Sequence, residues 1–313
     1  MFNRRFLRIK VMQALYAYFR DEKADIEVAE KNLFTSIDKS YELFLYILGF
    51  LNNIQYAARI SVEEARVKRL PTAADLNPNL KFVNNLFLTA LNDNKHINAD
   101  WTNYKVSWQN DQDLVRKVFN EIKNSDFFKK YMKSEQHSFA EDKKFIQTIL
   151  ESFLYEHELF NFWFDEKNIY WNDDYYYGFF FLNKWLETVT ETKMPAPQLY
   201  RDKEGDENFI ADVFVKTILH STEFDTIIAE HTKNWELDRI ASLDVLLMKM
   251  ALTEIIYLPN VPIKVSMNEY IDITKEYSTP QSGGFINGIL DKIVLDLKKD
   301  NKIQKTGRGL LEG

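Results

Sequence analysis

Residues that break helices are scarce in this chain. Nine glycines and seven prolines occur in 313 residues, well under the ~7% and ~5% usual for globular proteins. Backbone punctuated so rarely by turn residues can run in long helices. The composition is otherwise that of a folded protein, 45% hydrophobic and 28% charged, which excludes a disordered or fibrous chain. A length of 313 residues predicts about two domains. The longest strongly apolar run, residues 43–51, covers nine positions and is too short to cross a bilayer. Arginines interrupt the apolar residues of the first twenty positions, so no export signal is read there and a cytoplasmic location is expected. The absence of cysteine removes disulfides, thiolate metal sites and cysteine nucleophiles together.

Hydrophobic periodicity then places the helices. Leu7, Val11, Leu15 and Tyr18 repeat at helical spacing, with Ala14 on the same face. Phe6, Ile9, Met12, Tyr16 and Phe19 occupy the other faces, and a helix apolar nearly all round is expected inside a bundle. Further helices are read over 33–66, 81–91, 111–122, 142–164 and 179–189, with 67–80 as a loop around Pro71 and Pro78. Residues 101–109 fit neither period. The stretch 194–206, with Pro195, Pro197 and Gly205 among charges, is the best linker candidate. Beyond it, Phe209, Val213, Phe214 and Ile218 mark one helical face, and Leu243, Leu246, Leu247, Met250 and Ile255 another. Asn234 is the expected N-cap of a helix starting at Trp235. Ser266 with Glu269 three residues on reads as a capping box opening a helix to about Tyr277. Gly283 and Gly284 break the chain before a last helix carrying Phe285, Ile289, Ile293 and Val294. No set of alternating strands appears, so the fold class is all-α.

Charge and chemistry narrow the function. The net charge of −7 argues against a generic nucleic-acid coat. Residues 1–20 nevertheless hold Arg4, Arg5, Arg8, Lys10 and Arg20 and no acid. Cations at a helix N-terminus oppose the macrodipole at roughly 0.3–1 kcal/mol each where exposed. Two readings account for their presence: long-range salt bridges to the acidic remainder, or a phosphate clamp with Phe2 and Tyr16 able to stack on bases. No two of the five histidines lie three or four apart, and no Glu-x-x-His pair occurs, so no metal is expected. No Walker or G-x-G-x-x-G sequence is present, and no cofactor is expected. Gly283 and Gly284 before a helix suit either an anion-binding N-terminus or a tight turn between packed helices. The aromatic run of Trp171, Tyr175, Tyr176, Tyr177, Phe179, Phe180 and Phe181 has few basic neighbours and faces every side of a helix. It reads as core and helix contact rather than a base-stacking platform.

Several segments match a known pattern. Arg5, Arg8, Val11, Gln13, Leu15 and Tyr16 resemble the opening helix of the NusB family of bacterial transcription antitermination factors. Trp235, Arg239 and Ile240, then residues 248–254, then Ile263, Val265, Asn268 and Glu269, and finally residues 285–291 follow the family's order and spacing. The resemblance covers residues 1–35 and 206–297. It implies an all-helical NusB-like bundle, with residues 36–193 as an inserted helical domain, 194–205 as a linker and 298–313 as a disordered tail. It also implies a non-enzymatic RNA-binding antitermination factor. Its ligand would be boxA-type single-stranded RNA, and its partner a NusE-type small-subunit ribosomal protein on RNA polymerase during ribosomal RNA transcription. Carried over by position, Arg4, Arg5, Arg8, Tyr16, Gly284 and Phe285 are the expected RNA-binding residues. Tyr16, Asp238 and Asp244 are the expected partner-binding residues.

Departures from the pattern keep a second class in view. Val11 stands where the family usually has a small residue, and the loop before Phe285 lacks the charged side chains common there. The long insertion suits a protein–protein adaptor of the transcription or ribosome-assembly machinery that has lost RNA binding. An RNA-modifying enzyme would need a glycine-rich cofactor loop, and none follows.

Overall fold

A computed structural model describes residues 3–232 and 240–311. Fifteen α-helices occur among these residues, and no strand, only one isolated bridge between Thr190 and Lys193. In chain order they are α1 (Arg4–Tyr18), α2 (Ile26–Arg66), α3 (Ala73–Leu76), α4 (Leu86–Asn92) and α5 (Lys95–Asn103). There follow α6 (Gln112–Asn124), α7 (Asp126–Lys133), α8 (Phe139–Ile149), α9 (Glu158–Lys167) and α10 (Tyr175–Thr188). The last five are α11 (Lys203–Leu219), α12 (Ser221–His231), α13 (Ser242–Tyr257), α14 (Ile263–Tyr277) and α15 (Ser282–Lys299). The all-α expectation is met. No helix among the described residues is long and apolar enough to cross a membrane.

The chain divides into two compact units, residues 38–199 and residues 2–37 with 200–313. The first is built on the long helix α2 and an aromatic core. Trp108 stacks on Trp163 at 4.2 Å, and Phe50 meets Phe160 at 4.5 Å between ring centres. Trp171, Tyr175, Phe179 and Phe181 are buried while Tyr176 and Phe180 stay exposed. The aromatic run is therefore mostly core. A buried carboxylate organises the other end of this unit: Asp142 accepts from the Leu86 amide at 2.7 Å and from the Tyr131 hydroxyl at 2.6 Å. The first residues of the expected linker are bonded into the same unit. Met194, Pro195 and Pro197 carbonyls accept from Asn94, Trp185 and Tyr41, and α11 already begins at Lys203.

The second unit places α1 and α13 as interior rods. Phe6, Leu7, Ile9, Val11, Met12 and Leu15 of α1 are buried on every side, as the near-continuous apolar surface requires. Leu246 to Ile255 of α13 are likewise enclosed. The expected capping box at Ser266 is not formed. Helix α14 starts earlier, at Ile263 behind Pro262, with no side-chain cap. Ser266 lies inside it and donates to Glu254, while Glu269 pairs with arginines of α1. Their spacing mimics a cap, but both side chains have distant partners. The helix expected from Trp235 with Asn234 as its cap lies outside the described residues.

Within the stretch 298–313 expected as a disordered tail, the described residues 298–311 are held by defined bonds, a further correction. Helix α15 runs to Lys299 and closes in a Schellman turn. Asn301 there takes a φ of 53°, its amide donates to Lys298 O, and the Lys302 amide donates to Leu297 O. The following segment folds back, and the Lys305 ammonium donates to the carbonyls of Glu254 and Leu258 at 3.0 Å each. Those carbonyls, which also accept from the Leu258 and Val261 amides, lie at the electronegative end of α13, which a cation satisfies.

Candidate nucleic-acid interface

The arginines of α1 lie at its first turns, where Asn3 caps the helix by accepting from the Phe6 amide. Arg8 points inward and is 3% exposed. Its Nε and Nη2 donate to the two carboxylate oxygens of Glu254 at 2.7 and 2.8 Å. The same carboxylate accepts from Tyr270 OH at 2.7 Å and Ser266 Oγ at 2.9 Å. Four donors thus satisfy one fully buried acid, the condition under which an interior charge is tolerated. Burial alone would lower the Arg8 pKa, but the adjoining Glu254 charge more than reverses this and holds it above the ordinary value. Burial also pushes the Tyr270 hydroxyl far up, reinforced by Glu254. Arg8 was expected to contact RNA. Sealed from solvent and neutralised by its own unit, it instead clamps α1 to α13 and α14.

Arg4 and Arg5 are different. Their side chains are 46% and 40% exposed. Arg4 Nε donates to Asp206 at 3.2 Å, and its guanidinium sits 4.8 Å from the Phe209 ring centre. Arg5 donates to Glu269 at 2.9 and 3.1 Å and to Asp272 at 2.9 Å. The hydrogen bond to Glu269 raises the Arg5 pKa, and the Lys275 hydrogen bond, aided by Arg5, lowers that of Asp272. Of the two sequence readings, long-range salt bridging describes all three arginines. Only Arg4 and Arg5 also remain reachable from solvent. They line an open groove of about 510 Å³ with Asn3, Asn260, Val265 and Arg308, and the nearly buried Arg8 lies at its floor.

The other expected residues do not join this groove. Gly284 and Phe285 lie in the first turn of α15, which starts at Ser282 rather than after a glycine loop. They line a separate groove of about 630 Å³ with His231, Lys292 and Lys299. A side chain at Gly284 would enter open space, so packing does not demand a glycine there. Tyr16 is 38% exposed and lines a third groove, of about 320 Å³, with Phe19, Arg20 and Lys249. The Arg20 guanidinium lies 4.6 Å from the Tyr16 ring centre. Asp244, expected to meet a partner, is buried instead and accepts from Ser278 Oγ at 2.5 Å. It fixes the turn between α14 and α15. Asp238 lies outside the described residues. No cluster of His, Asp or Glu able to hold a metal occurs among the described residues.

Two participants escaped sequence reasoning. Glu254 was readable: it stands, like Asp244, among the apolar residues of α13, and an acid at the centre of that stripe needs a partner. Arg308 had no signal, because its place depends on a fold-back that no hydrophobic period announces.

Comparison with known proteins bears on the same unit. The NusB family model matches residues 182–295, which include Asp244, Gly284 and Phe285 but not α1. The transcription antitermination protein NusB of Salinibacter ruber is 47% identical over 104 residues, 33% of this chain and 65% of that protein. Its namesake from Chloroherpeton thalassium is 45% identical over 105 residues, 34% of this chain and 50% of its own length. The NusB protein of Desulfatibacillum aliphaticivorans is 43% identical over 97 residues, 31% of this chain and 68% of its own. The chain therefore spans less than two thirds of the first two relatives. Among solved structures, T. maritima NusB is similar at 23% identity, over 49% of this chain and 91% of that one, with a TM-score of 0.29. The 43% identity over 68% of the Desulfatibacillum aliphaticivorans protein shows that the chain belongs to the NusB family.

Proposed function

We propose that the protein is a non-enzymatic, cytoplasmic transcription antitermination factor that binds boxA-type single-stranded RNA. It would act with a NusE-type small-subunit ribosomal protein in the RNA polymerase antitermination complex. Family membership supports the general role. The observation that carries the RNA reading is the pair of half-exposed arginines, Arg4 and Arg5, lining one open groove. A phosphate entering there exchanges a carboxylate partner for a nucleic-acid one, and the released counterions drive binding. Tyr16, exposed on the same helix, is a candidate for a stacked base or a partner side chain, and Gly284 with Phe285 would border the RNA path elsewhere on the unit.

Ion pairing favours a second reading, the adaptor that no longer binds RNA, because Asp206, Glu269 and Asp272 already occupy these guanidinium groups. Filter binding of a boxA-type oligonucleotide, with and without the ribosomal protein, separates the two. Under the RNA reading, Arg5→Ala lowers the magnitude of the log–log salt slope by about 0.7, the share of one single-strand phosphate. An unchanged slope and affinity remove Arg5 from the interface, and no binding by the wild-type protein in either condition favours the adaptor.

A further inference from the structure

The groove beside Arg4 and Arg5 has a second wall, which like α1 lies outside the family match. Residues 302–311 follow α15 and lie beyond the matched stretch 182–295. They are held against the connection between α13 and α14 by three separate devices. Lys305 caps the end of α13 through the carbonyls of Glu254 and Leu258. The Thr306 amide donates to Pro259 O at 3.0 Å, and its hydroxyl to Asn260 Oδ1 at 3.2 Å. Gly307 has a φ of +52°, a conformation most side chains resist. At Gly309 a Cβ would stand 1.9 Å from Pro259 O, so only glycine permits that approach. Between these two glycines stands Arg308. The turn therefore fixes its Cα, and the side chain is exposed on the groove that Arg4 and Arg5 line.

Partner accounting sets Arg308 apart. Arg4, Arg5 and Arg8 are each bonded to a carboxylate, whereas Arg308 has no ion pair or side-chain hydrogen bond among the described residues. Three arginines of α1 here face the four acids Asp206, Glu254, Glu269 and Asp272. A polyanion approaching them must displace a carboxylate. One approaching Arg308 meets an open guanidinium, whose planar fork suits a phosphate.

The geometry points to segment 302–311 as a docked strap that presents Arg308 as the groove's open phosphate-binding group. This rests on the RNA reading above and adds to it a contact from outside the family's matched stretch. Filter binding of a boxA-type oligonucleotide across a salt series tests it in the full chain, with circular dichroism to confirm folding. Arg308→Ala is expected to weaken binding severalfold at low salt and lower the slope magnitude by about 0.7. Gly309→Ala, which expels the strap while keeping the arginine, should lose the same increment, and Arg308→Lys should keep most of the slope. If the wild-type protein binds and either Arg308→Ala or Gly309→Ala retains its full slope, the strap has no such role and the RNA reading stands without it. If the wild-type protein shows no salt-dependent binding, both fall together.

Discussion

Arg8 illustrates how one position can satisfy a family pattern for a reason other than ligand contact. Its guanidinium is bidentate to Glu254, an acid that also receives Ser266 and Tyr270. Removing one partner of a buried pair leaves an uncompensated charge, which costs about 3–5 kcal/mol. Arg8→Met should therefore destabilise the protein by that amount in urea unfolding. Its salt slope for RNA, measured on the fraction that stays folded, should remain that of the wild type. Arg5→Ala should do the reverse, because Arg5 is half exposed and surface ion pairs contribute little to stability, about 0–1 kcal/mol. A loss of slope with intact stability in Arg8→Met would show that the buried guanidinium reaches the ligand after all.

Among the helices, what the sequence reveals follows from what burial demands. The rods α1 and α13 were legible because an apolar surface on every face has only one destination, the interior. Helix α2 was legible over most of its length because no proline or cluster of turn residues interrupts 26–66. The start of α14 was misplaced by four residues: Ser266 and Glu269 look like a local cap, and nothing local shows that their partners are Glu254 and Arg5. The strap was missed for the same reason, since Lys305, Thr306 and Gly309 acquire meaning only beside Pro259. Its docking should also depend on pH. Burial, partly offset by Glu254, lowers the Lys305 pKa from 10.5 to about 8. Between those values the undocked segment binds more protons than the docked one, so docking strengthens as pH rises through the window. The chain has no cysteine, so a fluorophore on Leu310→Cys would report from a single site. Its anisotropy should climb from about pH 8 to 10.5 and stay level across that range in Lys305→Met.

Taken whole, the chain has two cores, each with one carboxylate that is 0% exposed, and this divides its stability into two accounts. In residues 38–199 the acid is Asp142, fully buried and held by the Leu86 amide and the Tyr131 hydroxyl. Burial first, and then the hydrogen bond to Asp142 and its charge, push the Tyr131 pKa well up. In the other unit the acid is Glu254. Length alone suggested two domains, and the second could be tied to a family because its signature residues follow in order through residues 1–35 and 206–297. The first could be read only as helical, since aromatic cores leave no motif. Local opening follows cooperative units rather than the chain as a whole. Asp142→Ala leaves the part-buried Leu86 amide and the buried Tyr131 hydroxyl without their acceptor, at up to about 1–3 kcal/mol each. Hydrogen exchange should then accelerate in helices α4, α7 and α8 while α1, α13 and α14 keep their protection. Arg8→Met should give the opposite map. Equal acceleration in both units from either substitution would mean that the two cores open as one, and that the strap and arginine groove depend on the aromatic unit for their stability.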